Sequence, residues 1–284
     1  MPAVDLHLHT TASDGRLTPT QLVDLLAQRG VEYAAITDHD STEGMAEALE
    51  AARRHPTLRL IPGIELSADH QDTEVHVLGY FLNWRDQRLQ SQLQEFRRGR
   101  VDRARTMVDK LADLGLPIDW PRVQAIAGEG AVGRPHIALA MVEKGYVKEV
   151  REAFDKYLGR SGPAYAERQK LKPVDAVALI RKAGGAAVLA HPTWVNNVEA
   201  RIEEMLPAGL AGMEVYYGVY SPETMSRLAS IAQKYGLIAC GGSDYHALGN
   251  PDEALPGYQG PPESAVDALK ARASPTDAQI RGRL

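Results

Sequence analysis

Cysteine is almost missing from this 284-residue chain, with Cys240 the only one. A lone thiol closes no internal disulfide and builds no thiolate metal cluster. Set in the apolar stretch 237–242, it reads as a small core residue and not as a nucleophile. Long hydrophobic runs are missing too. No segment approaches the roughly 20 apolar residues that cross a bilayer. Residues 1–10 have neither the basic start nor the apolar stretch of a secretory leader, so no membrane association and a cytoplasmic location are expected. No glycine/serine-rich spacer, internal repeat or low-complexity tract divides the chain, and 44% hydrophobic content at this length fills a full core. That bounds the chain at one or two domains, with the Pro/Gly-rich stretch 250–262 and the tail after Ala271 as its loose segments. Lysine is absent before Lys110.

What is present alternates between strand and helix. Thr18-Pro19-Thr20-Gln21 supplies an N-cap, a proline at the first helical position and a capping-box glutamine, which predicts a helix up to Gly30. Further helices are expected over 43–54, 173–183, 198–205 and 222–235. Strands are expected over 4–9, 33–37, 58–65, 74–80, 186–190, 212–216 and 237–241. Seven strands with mostly helical crossovers predict a parallel barrel within the α/β class.

Between residues 84 and 172 the pattern turns helical without strands. This stretch holds 18 Lys/Arg against 12 Asp/Glu, whereas the remainder holds 14 against 25. Two units are therefore expected: an acidic barrel from 1–83 and 173–284, and a basic helical insertion over 84–172 that caps it. Opposed charges of this kind suit an anionic substrate. Arg97, Arg98, Arg100, Arg103 and Arg105 are also readable as the solvated face of one helix. Gly133-Arg134-Pro135-His136 is sharper, because a guanidinium fork matches phosphate oxygens and a neighbouring imidazole adds a donor, although Pro135 equally marks a helix start.

Seven of the nine histidines fall in such places. His7 and His9 are two apart on a strand and share a face. Asp14 follows in a turn, and Thr37-Asp38-His39 closes the next apolar run. Glu65 ends a third, His76 lies inside a fourth, and His191 and Asp244-Tyr245-His246 end two later ones. Each alone is ordinary: a turn former, a solvated strand end, a satisfied core histidine. Together they would meet at the carboxyl ends of neighbouring strands, where barrel enzymes keep their chemistry. Imidazole and carboxylate without thiolate suit manganese, iron or zinc better than calcium. His55 and His70 fit no motif and read as surface residues. Tyr216, Tyr217 and Tyr220 could stack on a base or pack the rim.

His7-x-His9, Asp14, Thr37-Asp38-His39, Glu65, His76, His191 and Asp244-Tyr245-His246 resemble the metal motifs of the polymerase and histidinol phosphatase (PHP) family, over nearly the whole chain. The resemblance implies a distorted seven-stranded (β/α) barrel with a helical insertion, in the wider amidohydrolase-like group, and three divalent ions, manganese first among them. By the same resemblance His7, His9, Glu65 and Asp244 would hold one ion, Asp14, His39 and His246 a second, and Glu65, His76 and His191 a third. Glu65 would bridge the first and third. Asp14 stands where the family often has histidine. Arg134 and His136, with Asp14, would contact substrate, and Asp38 would orient a ligand histidine. His191, His136 or a water held by an ion would protonate the leaving group.

The insertion and its Gly133-Arg134-Pro135-His136 resemble the family's nucleotide phosphoesterases. The expected reaction is removal of the 3'-phosphate from a nucleoside 3',5'-bisphosphate, the metal cluster cutting one phosphate while the basic lobe anchors the other. Exonuclease action on short oligonucleotides from the 5' end, histidinol-phosphate hydrolysis and a non-catalytic module are the alternatives. Cyclic amide hydrolysis, which commonly uses a modified bridging lysine, is disfavoured by the absence of early lysines. No obligate protein partner is indicated.

Overall fold

The computed structural model describes residues 4–70, 73–128, 132–167, 171–249 and 253–274. Its sheet holds seven strands in sequence order: β1 (Val4–Asp5), β2 (Tyr33–Ile36), β3 (Arg59–His70), β4 (Thr73–Tyr80), β5 (Ala186–Leu189), β6 (Leu210–Tyr217) and β7 (Ile238–Gly242). Past β1 and β7 the two chains continue side by side. Leu6 N–H donates to Gly241 O (3.2 Å), Asp244 N–H to His7 O (2.9 Å) and His9 N–H to Tyr245 O (3.0 Å), and Leu8 bridges Tyr245 in parallel. The sheet is thereby a nearly closed barrel.

It is not wholly parallel, as the strand pattern alone predicts. β4 runs antiparallel to both β3 and β5, while the other pairs are parallel. The cause is the length of the connection. β3 and β4 pair from Gly63 with Tyr80 to His70 with Thr73, so two residues separate them, whereas a parallel return needs a crossover of a dozen or more. β3 consequently runs past Glu65 to His70, which pairs with Thr73 in the hairpin.

The helices form for the reasons their sequences show. α1 (Pro19–Gln28) carries the complete capping box, with Gln21 N–H donating to Thr18 Oγ1 and Thr18 N–H to Gln21 Oε1, and it buries Leu22, Val23 and Leu26. α2 (Met45–Ala52) is shorter than its pattern, because Glu43 N–H turns to Ser41 Oγ. Four helices fill the stretch between β4 and the second half of the barrel: α3 (Gln87–Asp113), α4 (Trp120–Ala127), α5 (Arg134–Glu143) and α6 (Val150–Ala153), the last continued by a π turn over Phe154–Leu158. They share a core of their own around Met107, Leu111, Val123, Ile137 and Met141. α3 joins this core to the barrel, since its Leu89 and Leu93 pack with Ile64, Val77 and Ile180. α7 (Pro173–Lys182), α8 (Val198–Met205) and α9 (Pro222–Lys234) complete the outer layer.

α10 (Glu263–Arg272) sends Val266 and Leu269 into a cluster with Val4, Leu6, Tyr80, Val188 and Cys240. Tyr80 Oη–H donates to Leu6 O (2.9 Å), tying β4 to β1. Cys240 is fully buried, and burial pushes its thiol pKa well up. The Pro/Gly-rich stretch is held rather than loose where it is described, because the Glu253 carboxylate accepts from His246, Leu248 and Gly249 N–H. Residues 250–252 and 275–284 lie outside the described residues. Among the described residues no helix is long and apolar enough to cross a membrane.

Candidate metal centre

Nine side chains from six different strand ends and bodies converge. His7 and His9 follow β1, His39 follows β2, Glu65 lies in β3, His76 in β4, His191 follows β5, and Asp244 and His246 follow β7. Asp14 arrives from the turn after β1, which packs so tightly that a Cβ on Gly15 would stand 2.5 Å from His9 O. Glu65 and His76 are the exceptions to the strand-end rule, Glu65 because β3 runs on to His70 and His76 because its strand is reversed. His191 (φ +25°) and Asp244 (φ +55°) sit in left-handed backbone, a strain of about 1–3 kcal/mol each that the surrounding structure must hold.

The donor atoms gather in overlapping groups. Around the first, His7 Nε2 and His9 Nε2 each lie 3.2 Å from Glu65 Oε2 and 3.1 Å from Asp244 Oδ1. Such spacings are edges of a coordination shell with bonds of about 2.0–2.2 Å. The second joins Asp14 Oδ1 to His246 Nε2 (3.4 Å) and Asp14 Oδ2 to His39 Nε2 (3.8 Å), with His9 Nδ1 at 3.7 Å. In the third, Glu65 Oε1 stands 2.8 Å from His76 Nδ1 and 3.1 Å from His191 Nε2. His39 reaches this group as well, through Nδ1 to Glu65 Oε2 at 3.1 Å, so it is shared between the second and third clusters.

The fit to metal ions rests on orphaned atoms. Buried His9 Nε2, His39 Nδ1, His76 Nε2 and Asp14 Oδ1 make no hydrogen bond, although His9 and His39 lie within 3.2 Å of carboxylate oxygens. Buried polar atoms ordinarily find hydrogen-bond partners. Donors aimed at a common point instead of at one another suit a cation between them.

Glu214, which sequence reasoning missed, holds this arrangement from behind. It is fully buried in β6; its Oε1 accepts from His7 Nδ1–H (3.0 Å) and its Oε2 from His191 N–H (2.7 Å). That turns His7 Nε2 toward the cluster. The available signal was a carboxylate inside the otherwise apolar run 210–217, since buried charge is kept only when paired. Tyr217, whose sequence left base stacking or rim packing open, donates Oη–H to Asp244 Oδ2 (2.7 Å). Asp38 accepts from Thr10 N–H (2.8 Å), Thr10 Oγ1–H (2.7 Å) and Ser13 Oγ–H (2.6 Å). It braces the loop carrying Asp14 and reaches a histidine only through Ser13, whose Oγ is 3.5 Å from His9 Nδ1. Asp5 plays a like part, accepting from Ser243 and Gly257 N–H.

A profile of the PHP domain matches residues 5–164. The chain belongs to the PHP family. It is 37% identical to a 3',5'-nucleoside bisphosphate phosphatase of Chromobacterium violaceum, covering 88% of this chain and 89% of that one. It is 36% identical to the 5'-3' exoribonuclease Rnm of Escherichia coli, covering 85% and 84%. A solved amidohydrolase from C. violaceum with bound sulfate superposes with a TM-score of 0.87 at 34% identity, over 98% of this chain and 99% of that one. The protein is thus a phosphoric ester hydrolase of a metal-dependent PHP phosphoesterase type.

Electrostatics in the PHP centre favour cations. Burial opposes charge on His7, yet Asp244, Glu214 and Glu65 hold its pKa well above the ordinary imidazole value. Against the same burial, Glu65 and Glu74 raise His76 to about 9, and Asp14 and Asp244 raise His246 to about 10. His39 goes the other way, lowered by burial to about 3 although Glu65 and Asp14 oppose it. Despite burial, the surrounding imidazoles keep Asp14, Glu65 and Asp244 well below the usual carboxylate range. Protons and divalent ions compete for these lone pairs.

Beside the PHP centre a cleft of about 110 Å³ is lined by Asp14, His39, Glu74 and His76 together with Arg100, Arg103 and Arg134. Arg134 donates to Glu74 (2.6 Å) and lies over Phe154. Arg100, read from sequence among solvated arginines, instead donates to Asp40 and Ser67 Oγ (both 2.7 Å). Arg105, by contrast, is exposed. Gly133-Arg134-Pro135-His136 is indeed a helix start: His136 Nδ1 accepts from Gly133 N–H (3.0 Å), and burial lowers the His136 pKa. The ring is therefore neutral, with its proton on Nε2.

Proposed function

We propose that this chain removes the 3'-phosphate of nucleoside 3',5'-bisphosphates, leaving the nucleoside 5'-monophosphate and phosphate. The observation that carries the reading is a cleft lined both by metal-type donors and by three arginines. A monoester needs one anion site, whereas this cleft offers two of different chemistry. The C. violaceum relative supports the same substrate.

His7, His9, Glu65 and Asp244 would hold one ion, Asp14, His39 and His246 a second, and Glu65, His76 and His191 a third, with manganese preferred and iron or zinc compatible. Bound divalent ions supply charge neutralisation for phosphoryl oxygens and acidify water. The protein supplies position. Arg134 offers guanidinium donors to the phosphate that is kept, and its contact with Phe154 fixes the plane of that fork. Arg100 is braced by Asp40 and Ser67 beside it, and His136 adds an Nε2–H. Glu214 keeps His7 in one tautomer, and the lobe formed by α3 to α6 caps the cleft against water. The cleft's three arginines outnumber its two carboxylates, and one of these, Glu74, is already paired with Arg134, which argues against the amine of histidinol phosphate.

Purified protein with manganese should release phosphate from adenosine 3',5'-bisphosphate much faster than from AMP; equal rates would remove the two-phosphate reasoning. A second reading has support from the E. coli relative: 5'-3' exonuclease action, with the arginines taking a terminal 5'-phosphate. Release of a mononucleotide from a 5'-phosphorylated dinucleotide, at a rate matching or exceeding bisphosphate turnover, would favour it.

A further inference from the structure

Trp194 has no place in the cluster or the cleft, yet it stands beside them. It ends a short 3-10 turn, Pro192–Trp194, directly after His191. Its indole packs on the His191 imidazole at 4.4 Å between ring centroids, tilted by 35°, and meets Tyr217 edge-on at 5.8 Å. At 59% exposure it still presents most of its surface to solvent. An exposed indole is usually mobile, but this one is braced. Trp194 N–H donates to His191 O (3.0 Å), the neighbouring Thr193 Oγ1–H donates to Tyr220 Oη (2.9 Å), and Asn196 Nδ2–H donates to Thr73 Oγ1 (3.0 Å). Tyr217 in turn packs against Tyr220 at 4.8 Å between centroids, tilted by 40°.

The rim is therefore sorted by chemistry. Arg134 pairs with Glu74, which is 3.5 Å from His76 Nε2, whereas His191, with the indole against it, has its ring 5.0 Å from that of His76. One neighbour of His76 thus brings charge, and the other brings an uncharged aromatic plane. We infer that Trp194 is the stacking platform for the base of the substrate, an assignment that rests on the nucleotide reading above. A planar heteroaromatic ring fits because stacking on an indole needs only a π-face, whatever the base. The platform adjoins His191, which is 3.1 Å from Glu65 Oε1, so a base seated there leaves its sugar phosphates over the donors and the arginines.

Two measurements test this. The first compares adenosine 3',5'-bisphosphate with the same sugar bisphosphate lacking the base. Wild type should show a KM lower by on the order of 10-fold for the base-bearing compound, Trp194→Ala should erase that preference, and Trp194→Phe should retain most of it. A Trp194→Ala variant that loses the same factor on both compounds would place the residue behind His191 only and overturn the assignment. Equal turnover of both compounds by wild type would overturn it too while sparing the phosphatase reading. The second measurement needs no turnover. AMP should quench tryptophan emission in wild type and not in Trp194→Phe, which keeps Trp84 and Trp120, whereas ribose 5-phosphate should quench neither. Identical responses to the two ligands would overturn the base platform even in an active enzyme, and quenching without any hydrolysis would sustain it while the phosphatase reading fell.

Discussion

Glu214→Gln isolates the contribution of a residue that touches no substrate. The carboxylate uses both oxygens as acceptors at full burial, one for His7 Nδ1–H at 3.0 Å and one for His191 N–H at 2.7 Å. Glutamine has nearly the same shape and only one acceptor oxygen. Turned one way, its NH2 faces His191 N–H, and a buried backbone donor goes unsatisfied at roughly 1–3 kcal/mol. Turned the other way, its NH2 faces His7 Nδ1. The imidazole must then accept there and carry its proton on Nε2, the atom that lies 3.1–3.2 Å from Asp244 and Glu65. Either outcome harms the first cluster. Loss of such a supporting carboxylate typically costs about 10–100-fold in metal affinity. Titration calorimetry with manganese on the chelator-stripped variant should show that weakening, and thermal unfolding of the metal-free variant should begin several degrees lower. A variant with wild-type metal affinity and an unchanged melting temperature would refute the tautomer reasoning, because the substitution cannot leave both hydrogen bonds intact.

Two further outcomes follow from the same geometry. Gly242→Ala would place a Cβ 2.4 Å from His7 N and 2.6 Å from Asp5 Oδ1, too close for any rotamer to relieve; it should lower the midpoint of urea unfolding by the equivalent of about 1–3 kcal/mol and cut activity at saturating substrate, and an unchanged midpoint would contradict the close seam between β1 and β7. Chelation should destabilise the folded protein, since buried Glu65 and the part-buried Asp14 and Asp244 would lose cations that balance them; restoring manganese at about 100 times its Kd should return roughly 2.7 kcal/mol per site, read as a rise in melting temperature, and no rise would argue against ion binding by these donors.

Much was legible in the linear order, and the reason is local physics. The capping box at Thr18, the helical periodicity of α7 and α9 and the apolar runs of the strands depend on neighbours a few residues apart. The clustering of ligand-type residues at strand ends is also a local regularity, since each His, Asp or Glu interrupts an apolar run. What stayed hidden depends on partners far away in the chain. The direction of β4 is set by the shortness of the connection between His70 and Thr73, a property of the connection and not of the strand's own residues. Arg100 looks like its neighbours on a long charged helix, and only the approach of Asp40 and Ser67 distinguishes it from Arg105.

The sequence by itself determined the alphabet of the site: imidazole and carboxylate without thiolate, an acidic barrel, a basic helical lobe. Tertiary structure alone decided who supports whom. Glu214 becomes the prop of His7 across 207 positions, and His39 comes to lie between two clusters. Trp194 is left facing solvent beside His191. Coordination and hydrogen bonding act over about 3 Å in space, and no local pattern encodes which residues folding will bring within that distance.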